Sequence, residues 1–456
     1  MVASHDRHAA LELDDKRYIW HPFTQMRDWW ENDQIIIESG HGSYLKDVDG
    51  REYLDGVSSL WVTVHGHARP EIDEAIVEQV KKISHSTMLG LSNIPAIELA
   101  RKLVTISPAG LNKVFYSDSG STAVEIALKM AFQYWQQSGH PEKTKFISFR
   151  NAYHGDTIGS VSVGGIDLFH AIYQPLLFPT LQANSAYCYR CSLGLTNESC
   201  RLACLNQLEE LLEEYHARIA ALIVDPLVQA AAGMLMSPPG YLRRIRDMCT
   251  AYDVLMIADE VAVGFGRTGR MFACEHEDVS PDLMAVAKGI TGGYLPLAAT
   301  IATERVYEAF LGRPEESKTL FHGHTYTGNP VACAAAIANI DIFEKDRTLE
   351  TMQPKIRQLS TALGKFKELP NVGDIRQCGF MVGIELVASK ETKKPYPAEQ
   401  RIGHKVILEA RKMGMIIRPL GDVIVLMPPL STSSDELDRI LDIAYQAIET
   451  VTRLDG

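Results

Sequence analysis

Three short stretches of the sequence carry residue types that could do chemistry together. The first is Ser117-Asp118-Ser119-Gly120-Ser121-Thr122, set between the apolar run 114–116 and a helical pattern over 123–135. Small residues at a strand-to-helix turn leave backbone N–H groups free at the positive end of the helix dipole, which suits an anion; simple helix capping by Ser or Asp is the plainer alternative. The second is Asp259-Glu260, which closes the apolar run 254–258 and precedes Val261-Ala262-Val263-Gly264-Phe265-Gly266-Arg267-Thr268-Gly269. A carboxylate at the end of a buried strand carries a desolvation cost unless a cation faces it, although most such acids are caps or structural ion pairs. The third is Lys288, at the end of the run 283–287. Most lysines are solvated, but burial there can hold the amine neutral and make it nucleophilic.

A phosphate cradle, a carboxylate able to keep a pyridinium nitrogen protonated and a desolvated lysine together match the needs of pyridoxal 5'-phosphate. A fourth stretch, Asn151-Ala152-Tyr153-His154-Gly155-Asp156, follows the run 146–149 and offers an aromatic ring to stack on that cofactor. Taken alone, Tyr153 reads as core.

The elements that must position these residues are legible as periodicity. From about 73 to 340, apolar runs of strand length (113–116, 146–149, 220–224, 254–258) alternate with amphipathic helical stretches. That alternation predicts an α/β fold whose large domain holds a mostly parallel sheet covered by helices, with ligands at the carboxyl ends of the strands. Residues 42–54 read as a hairpin turning at Asp49-Gly50. Beyond 341, shorter strands at 379–386 and 423–427 predict a smaller α/β domain. The expected division is 1–72 as an N-terminal segment joining the small domain, 73–340 as the large domain and 341–456 as the small one.

Composition narrows the function further. The 456 residues include 45 basic and 57 acidic ones, a net charge of -12, which leaves no basic excess for nucleic acid or an anionic membrane. The first 20 residues mix charges and lack a signal-peptide core, and no apolar stretch reaches the roughly 20 residues of a membrane span, so a cytoplasmic enzyme is expected. Four of eight cysteines form the pattern Cys188-x2-Cys191-x8-Cys200-x3-Cys204. Two short-spaced pairs suit a tetrahedral zinc site, and ordinary reduced thiols are the alternative; neither reading gives them a catalytic role, and no metal is expected in the chemistry.

On these motifs the chain resembles the class III (ω-) aminotransferases of the fold type I pyridoxal-phosphate superfamily over roughly residues 15–450. The matching segments are WHPFTQM (20–26), DSGSTAVEIALKMAFQYWQ (118–136), YHGDTIG (153–159), DEVAVGFGRTG (259–269) and HGHTYTGNP (322–330). The less widespread WHPFTQM, ALKMAFQYWQ, FACEHE and RPLGD narrow the resemblance to the 7,8-diaminopelargonate branch, which aminates 8-amino-7-oxononanoate in biotin synthesis.

The resemblance implies a fold type I transferase, with a small domain built from both chain ends and pyridoxal 5'-phosphate as cofactor. It implies Lys288 as the lysine that bonds the cofactor and then shuttles a proton, Asp259 against the pyridinium nitrogen, and Gly120 and Ser121 at the phosphate. Tyr153, with His154 beside it, would stack on the ring, and Val261 would pack on its other face. Thr325 would reach the phosphate of a neighbouring subunit, so a homodimer follows. Arg418 would hold the substrate carboxylate, and Phe23, Leu60, Trp61 and Val425 would line the substrate channel.

Where adenosylmethionine-using relatives carry Tyr, Trp and Tyr, this chain has Phe23, Leu60 and Val425, a slimmer apolar wall. With HGHTYTGN, GDIRQ and PYPAEQRIG resembling a Bacillus-type, lysine-using branch, the expected amino donor is L-lysine or else S-adenosylmethionine. Asp225 stands where the family usually has Glu, Val263 where it has Thr and Ala152 where it has Gly. Two rivals are a broad ω-amine:pyruvate aminotransferase and a non-catalytic pyridoxal-sensing domain; the second is disfavoured by the missing basic helix-turn-helix and the net charge.

Overall fold

The computed structural model describes residues 2–454. Its centre is a seven-stranded sheet made of β1 (Leu111–Ser117), β2 (Lys145–Phe149), β3 (Leu181–Ala183), β4 (Ile219–Val224), β5 (Leu255–Asp259), β6 (Leu283–Val286) and β7 (Ala298–Thr303). The strand order is β1-β7-β6-β5-β4-β2-β3. β7 runs antiparallel to both its neighbours, and the other pairs are parallel. The expected α/β fold with a mostly parallel sheet is therefore present.

Strand residues alternate between two apolar layers, as a pleated strand buried on both sides requires. Leu255 and Ile257, with Ala221 and Ile223, face helix α1 (Gly120–Gln137). Met256 and Ala258, with Leu222 and Val224, pack toward helices Ile94–Ile106 and Tyr241–Ala251. Each aliphatic side chain so buried contributes about 1.5–3 kcal/mol. This packing fixes the carboxyl ends of β1, β2, β4, β5 and β6 at one edge, and the chemistry-bearing residues follow directly from them.

Two four-stranded sheets accompany this one. Strands Ile37–His41, Tyr44–Asp47 and Glu52–Asp55 form an antiparallel set, turned at Gly50 with φ of 85°. Its fourth strand, Met415–Ile416, arrives from the far end of the chain and pairs in parallel, Met415 opposite Leu54. The other sheet is antiparallel, in the order Val372–Cys378, Met381–Leu386, Val423–Leu426 and Arg418–Leu420. Its apolar face packs with Ile402, Val406, Ile440 and Ala444 in one cluster. Among the described residues no helix is long and apolar enough to cross a membrane.

One buried cation ties these parts together. Arg267, 1% exposed, donates to the Thr63 carbonyl at 2.8 Å, the Pro428 carbonyl at 2.9 Å and Ser58 Oγ at 3.1 Å. Its partners bracket a segment in which Ser58, Ser59 and Trp61 hold φ of 51°, 58° and 64°. Left-handed backbone costs such residues about 1–2 kcal/mol each, so the segment needs external anchors. Asp55, fully buried, supplies another by accepting the Ser59 N–H at 2.8 Å. Replacing Arg267 by Met would strand two buried carbonyls. The expected cost is about 3 kcal/mol, read as a lower thermal midpoint of the holoenzyme. An unchanged midpoint would show that the segment is held by other contacts.

Candidate active site

At the carboxyl edge of the large sheet lies a cavity of about 440 Å³, with Gly120, Tyr153, Asp259 and Lys288 in its wall. Its anion end is the start of α1. The Ser119 N–H donates to Thr122 Oγ1 at 3.0 Å while Ser119 Oγ accepts the Thr122 N–H at 3.4 Å, a capping box that fixes the first turn. The first-turn N–H groups of Gly120 and Ser121, which have no intrahelical acceptor, are thereby left at the cavity wall, at the head of an 18-residue helix.

Two glycines make this cradle possible. A Cβ on Gly120 would stand 2.6 Å from Val261 Cγ1, so Gly120 lets Val261 approach. Gly155, at φ of +123°, would put a Cβ 1.9 Å from Ser121 Oγ, which accepts the Asp156 N–H at 3.1 Å. Gly155→Ala is therefore expected to displace Ser121 and weaken cofactor binding by the apoenzyme about tenfold or more, measured by fluorescence titration. Wild-type affinity would refute the close fit.

At the opposite end the charges are buried. Asp259, 5% exposed, accepts the Val261 N–H at 3.0 Å through Oδ1, and its Oδ2 lies 2.7 Å from His154 Nδ1. His154 Nε2 stands 3.9 Å from Asp225 Oδ2, and among the described residues neither of these two buried atoms has a hydrogen-bond partner. Burial alone would lower the His154 pKa, but the two carboxylates outweigh it and raise it. Burial, with the Asp259 charge added to it, raises that of Asp225 despite the attraction of His154. Lys288 is held in left-handed backbone at φ of 46°, a strained conformation typical of functional positions. Burial pushes its ammonium pKa down, against the pull of Asp259, Asp225 and Asp156. Its Nζ lies 5.3 Å from the centroid of the Trp61 ring.

A phosphate-bearing ring with a basic nitrogen and an aldehyde suits this donor set. The N–H cradle could hold the dianion, the buried Asp259 the ring nitrogen, and the desolvated amine of Lys288 could react with the aldehyde.

Outside the residues that line the cavity, an aromatic group adjoins Tyr153. Arg418 lies 6.0 Å from the Phe23 ring, Phe23 meets Phe169 edge-on at 5.4 Å, and Phe169 meets Tyr153 at 6.3 Å. Tyr153 donates to Asp156 Oδ2 at 2.8 Å. Burial lowers the Arg418 pKa, and its guanidinium makes no ion pair among the described residues. Phe23 and Leu60 are open, at 58% and 47% exposure. Val425 is not in the wall: it is fully buried in the cluster behind Trp61 and Val57. Its strand is paired on both sides, and the pleat turns this side chain inward. Thr325 is exposed and outside its own chain's cavity.

Sequence reasoning missed Phe169 and Asp156 as neighbours of Tyr153, and it treated Asp225 as a departure without seeing that it faces His154. The DP dipeptide after an apolar run was a signal for Asp225; Phe169 had none.

The sequence pattern of the family described as aminotransferase class-III matches residues 26–448. The adenosylmethionine-8-amino-7-oxononanoate aminotransferase of Nitratidesulfovibrio vulgaris is 57% identical over 98% of this chain and 83% of its own. The crystal structure of the like-named enzyme from Methanocaldococcus jannaschii superposes with a TM-score of 0.92 at 48% identity, covering 97% of this chain and 99% of that one. An ω-transaminase from Pseudomonas jessenii, solved in complex with PMP, gives 0.93 at 33% identity over 97% and 98%. With the cradle, the buried carboxylate and the buried lysine all in place, the chain belongs to the class-III aminotransferases, enzymes dependent on pyridoxal 5'-phosphate.

Proposed function

We propose that this enzyme aminates 8-amino-7-oxononanoate to 7,8-diaminononanoate in biotin synthesis. The observation that carries this reading is the 57% identity, over nearly the whole chain, to an aminotransferase named for that acceptor. The site suits it: Arg418, which makes no ion pair among the described residues, lies near Phe23 and Tyr153, where it could hold a substrate carboxylate.

Gly120 and Ser121 would hold the cofactor's phosphate. Tyr153 and Val261 would hold its ring, and Asp259, oriented by His154, its nitrogen. When bound, pyridoxal phosphate supplies the carbonyl carbon that takes up the amino group and a ring that withdraws electrons. The chain's own work is then proton handling and positioning. Lys288 Nζ, whose charged form burial disfavours, would take the proton from the carbon that bears the transferred nitrogen and return one on the reverse half-reaction. Trp61 excludes water above it, and Arg418 fixes the substrate's far end.

L-lysine is the proposed amino donor, because Phe23 and Leu60 offer neither the hydroxyls nor the indole face that would favour a cationic nucleoside. Val425, lying behind the wall, does not contribute to that choice. The names of the relatives favour S-adenosylmethionine as the second reading. Stopped-flow spectra decide between them. Lysine should aminate the cofactor, and 8-amino-7-oxononanoate should discharge it at least about tenfold faster than pyruvate. Amination by S-adenosylmethionine alone would overturn the donor, and faster discharge by pyruvate would favour a broad ω-amine enzyme.

Arg418→Leu should raise KM for the oxononanoate about 100-fold and leave the half-reaction with small, uncharged amines within about twofold. An unchanged KM would remove Arg418 from the substrate site. We further propose a cytoplasmic homodimer. Thr325 lies outside its own cavity, and Trp20, Leu89, Ile94 and Phe321 are 87%, 91%, 71% and 80% exposed, as faces covered by a second copy would be. Monomeric sedimentation would refute it.

A further inference from the structure

Lys288 stands at the head of a single short turn. β6 ends at Val286, Ala287 follows in extended backbone, and the 3-10 turn Lys288–Thr291 then closes on Gly292 at φ of 66°. Within it the Ile290 N–H donates to the Ala287 carbonyl at 3.1 Å, and the Gly292 N–H to the Gly289 carbonyl at 3.1 Å. One 3-10 turn that begins on a left-handed lysine is poorly self-supporting and needs anchors from outside. We propose that Asn339, on helix Pro330–Lys345, is a positioning residue that holds this turn, and with it the Lys288 amine, in place at the cavity. The proposal rests on Lys288 as the reacting amine and is independent of which donor or acceptor the enzyme uses.

Asn339 is fully buried, and its Nδ2 donates to the carbonyls of Gly289 at 2.9 Å and Ile290 at 3.1 Å, the two residues that follow Lys288. Carbonyls only accept, so this pair fixes which end of the amide faces the turn. The other end goes without: Oδ1 is buried with no hydrogen-bond partner among the described residues, and a Cβ added to Gly292 would stand 2.7 Å from it. The surrounding helix face is apolar, with Ala332, Ala336, Ile340 and Phe343 in the large core. An unpaired amide oxygen in such a place is costly, and an aliphatic side chain would avoid that cost. What an aliphatic side chain cannot supply is the two donors to the lysine turn.

Asn339 also lies where three elements cross. Its backbone carbonyl accepts from His65 Nε2 at 3.1 Å, which fixes the proton of that imidazole on Nε2. Burial lowers the His65 pKa to about 4, so the ring is a neutral donor near pH 7. The Val64 N–H donates to the Gly292 carbonyl at 3.3 Å. The helix, the lysine turn and the chain leading on from Trp61 are therefore each bonded to the other two, with Lys288 Nζ 5.3 Å from the Trp61 ring. Without the Asn339 donors the turn is free to shift. The amine then loses its fixed approach to the cofactor's aldehyde and part of the burial that disfavours its charged form.

Asn339→Leu keeps the branching and removes the donors, and Asn339→Ala removes them with no risk of overpacking. In full-length apoenzyme of either variant, covalent capture of pyridoxal 5'-phosphate, read by borohydride fixation, should slow about tenfold or more. The pH inflection of capture should move up toward the 10.5 of an ordinary lysine. Affinity for pyridoxine 5'-phosphate, which has the phosphate and ring but no aldehyde, should stay within about twofold, because the cradle at Gly120 and Ser121 is untouched. A lower thermal midpoint with wild-type capture rate and inflection would make Asn339 a packing residue and overturn the proposal. So would equal losses of capture and of pyridoxine phosphate binding, or failure of both variants to fold. Fixation of the wild-type cofactor on a peptide lacking Lys288 would remove the lysine from the chemistry, and the proposal with it.

Discussion

Lys288→Ala is expected to leave a folded protein that still takes up pyridoxal phosphate but transaminates on the order of 10⁴-fold more slowly. Alanine suffers about the same left-handed backbone penalty as lysine at φ of 46°, so the fold has no new strain to absorb. The cradle at Gly120 and Ser121 and the carboxylate of Asp259 remain, which is why binding should persist. What disappears is the buried amine of Lys288 in the cavity wall, and with it the proposed covalent attachment and proton carrier. In the wild type, the rate of covalent capture by apoenzyme should rise with pH through an inflection below the 10.5 of an ordinary lysine, because burial favours its neutral form. Borohydride reduction and peptide mapping give the direct check. A variant retaining more than about a tenth of wild-type turnover, or cofactor fixed on a peptide lacking Lys288, would sink the assignment.

Asp259→Asn should cost on the order of 10²–10³ in turnover with little change in stability. The amide can still accept the Val261 N–H through its oxygen, but the negative charge that, on the proposed role, would keep the ring nitrogen protonated is gone. The same charge is one of two that raise the pKa of His154, so that imidazole should become harder to protonate in the variant. Asp225→Asn removes the other charge from a position 3.9 Å from His154 and should have a smaller effect on turnover. Equal losses from the two variants would mean that His154, and not Asp259 itself, carries the electrostatic role.

Much of the fold could be read in advance because buried parallel strands are near-continuous apolar runs, and because each run ends on a residue of another chemical type. Lys288 and Asp259 were legible for that reason: a charged residue closing a run such as Leu-Met-Ile-Ala is conspicuous. The antiparallel sense of β7 was not, since Ala-Ala-Thr-Ile-Ala-Thr carries no directional signal. The parallel pairing of Met415–Ile416 with Glu52–Asp55 was equally hidden, because two-residue strands have no periodicity to detect. Val425 shows a different limit. A resemblance places a position in a pocket segment, but the pleat decides which of its residues face the cavity, and here it turns Val425 away.

The anchoring of the Ser58–Trp61 segment also sets an order of events during synthesis. Ser58 donates to the carbonyl of Met427, 369 residues further along the chain. At about 5–20 residues per second, the segment that places Trp61 in the cavity wall waits roughly 20–70 s before this last of its anchors is made. The large sheet can assemble within that interval, but the pocket cannot. Newly made chains should therefore expose an open carboxyl edge until translation is almost complete, and truncation before Met427 should yield a soluble core that cannot retain the cofactor.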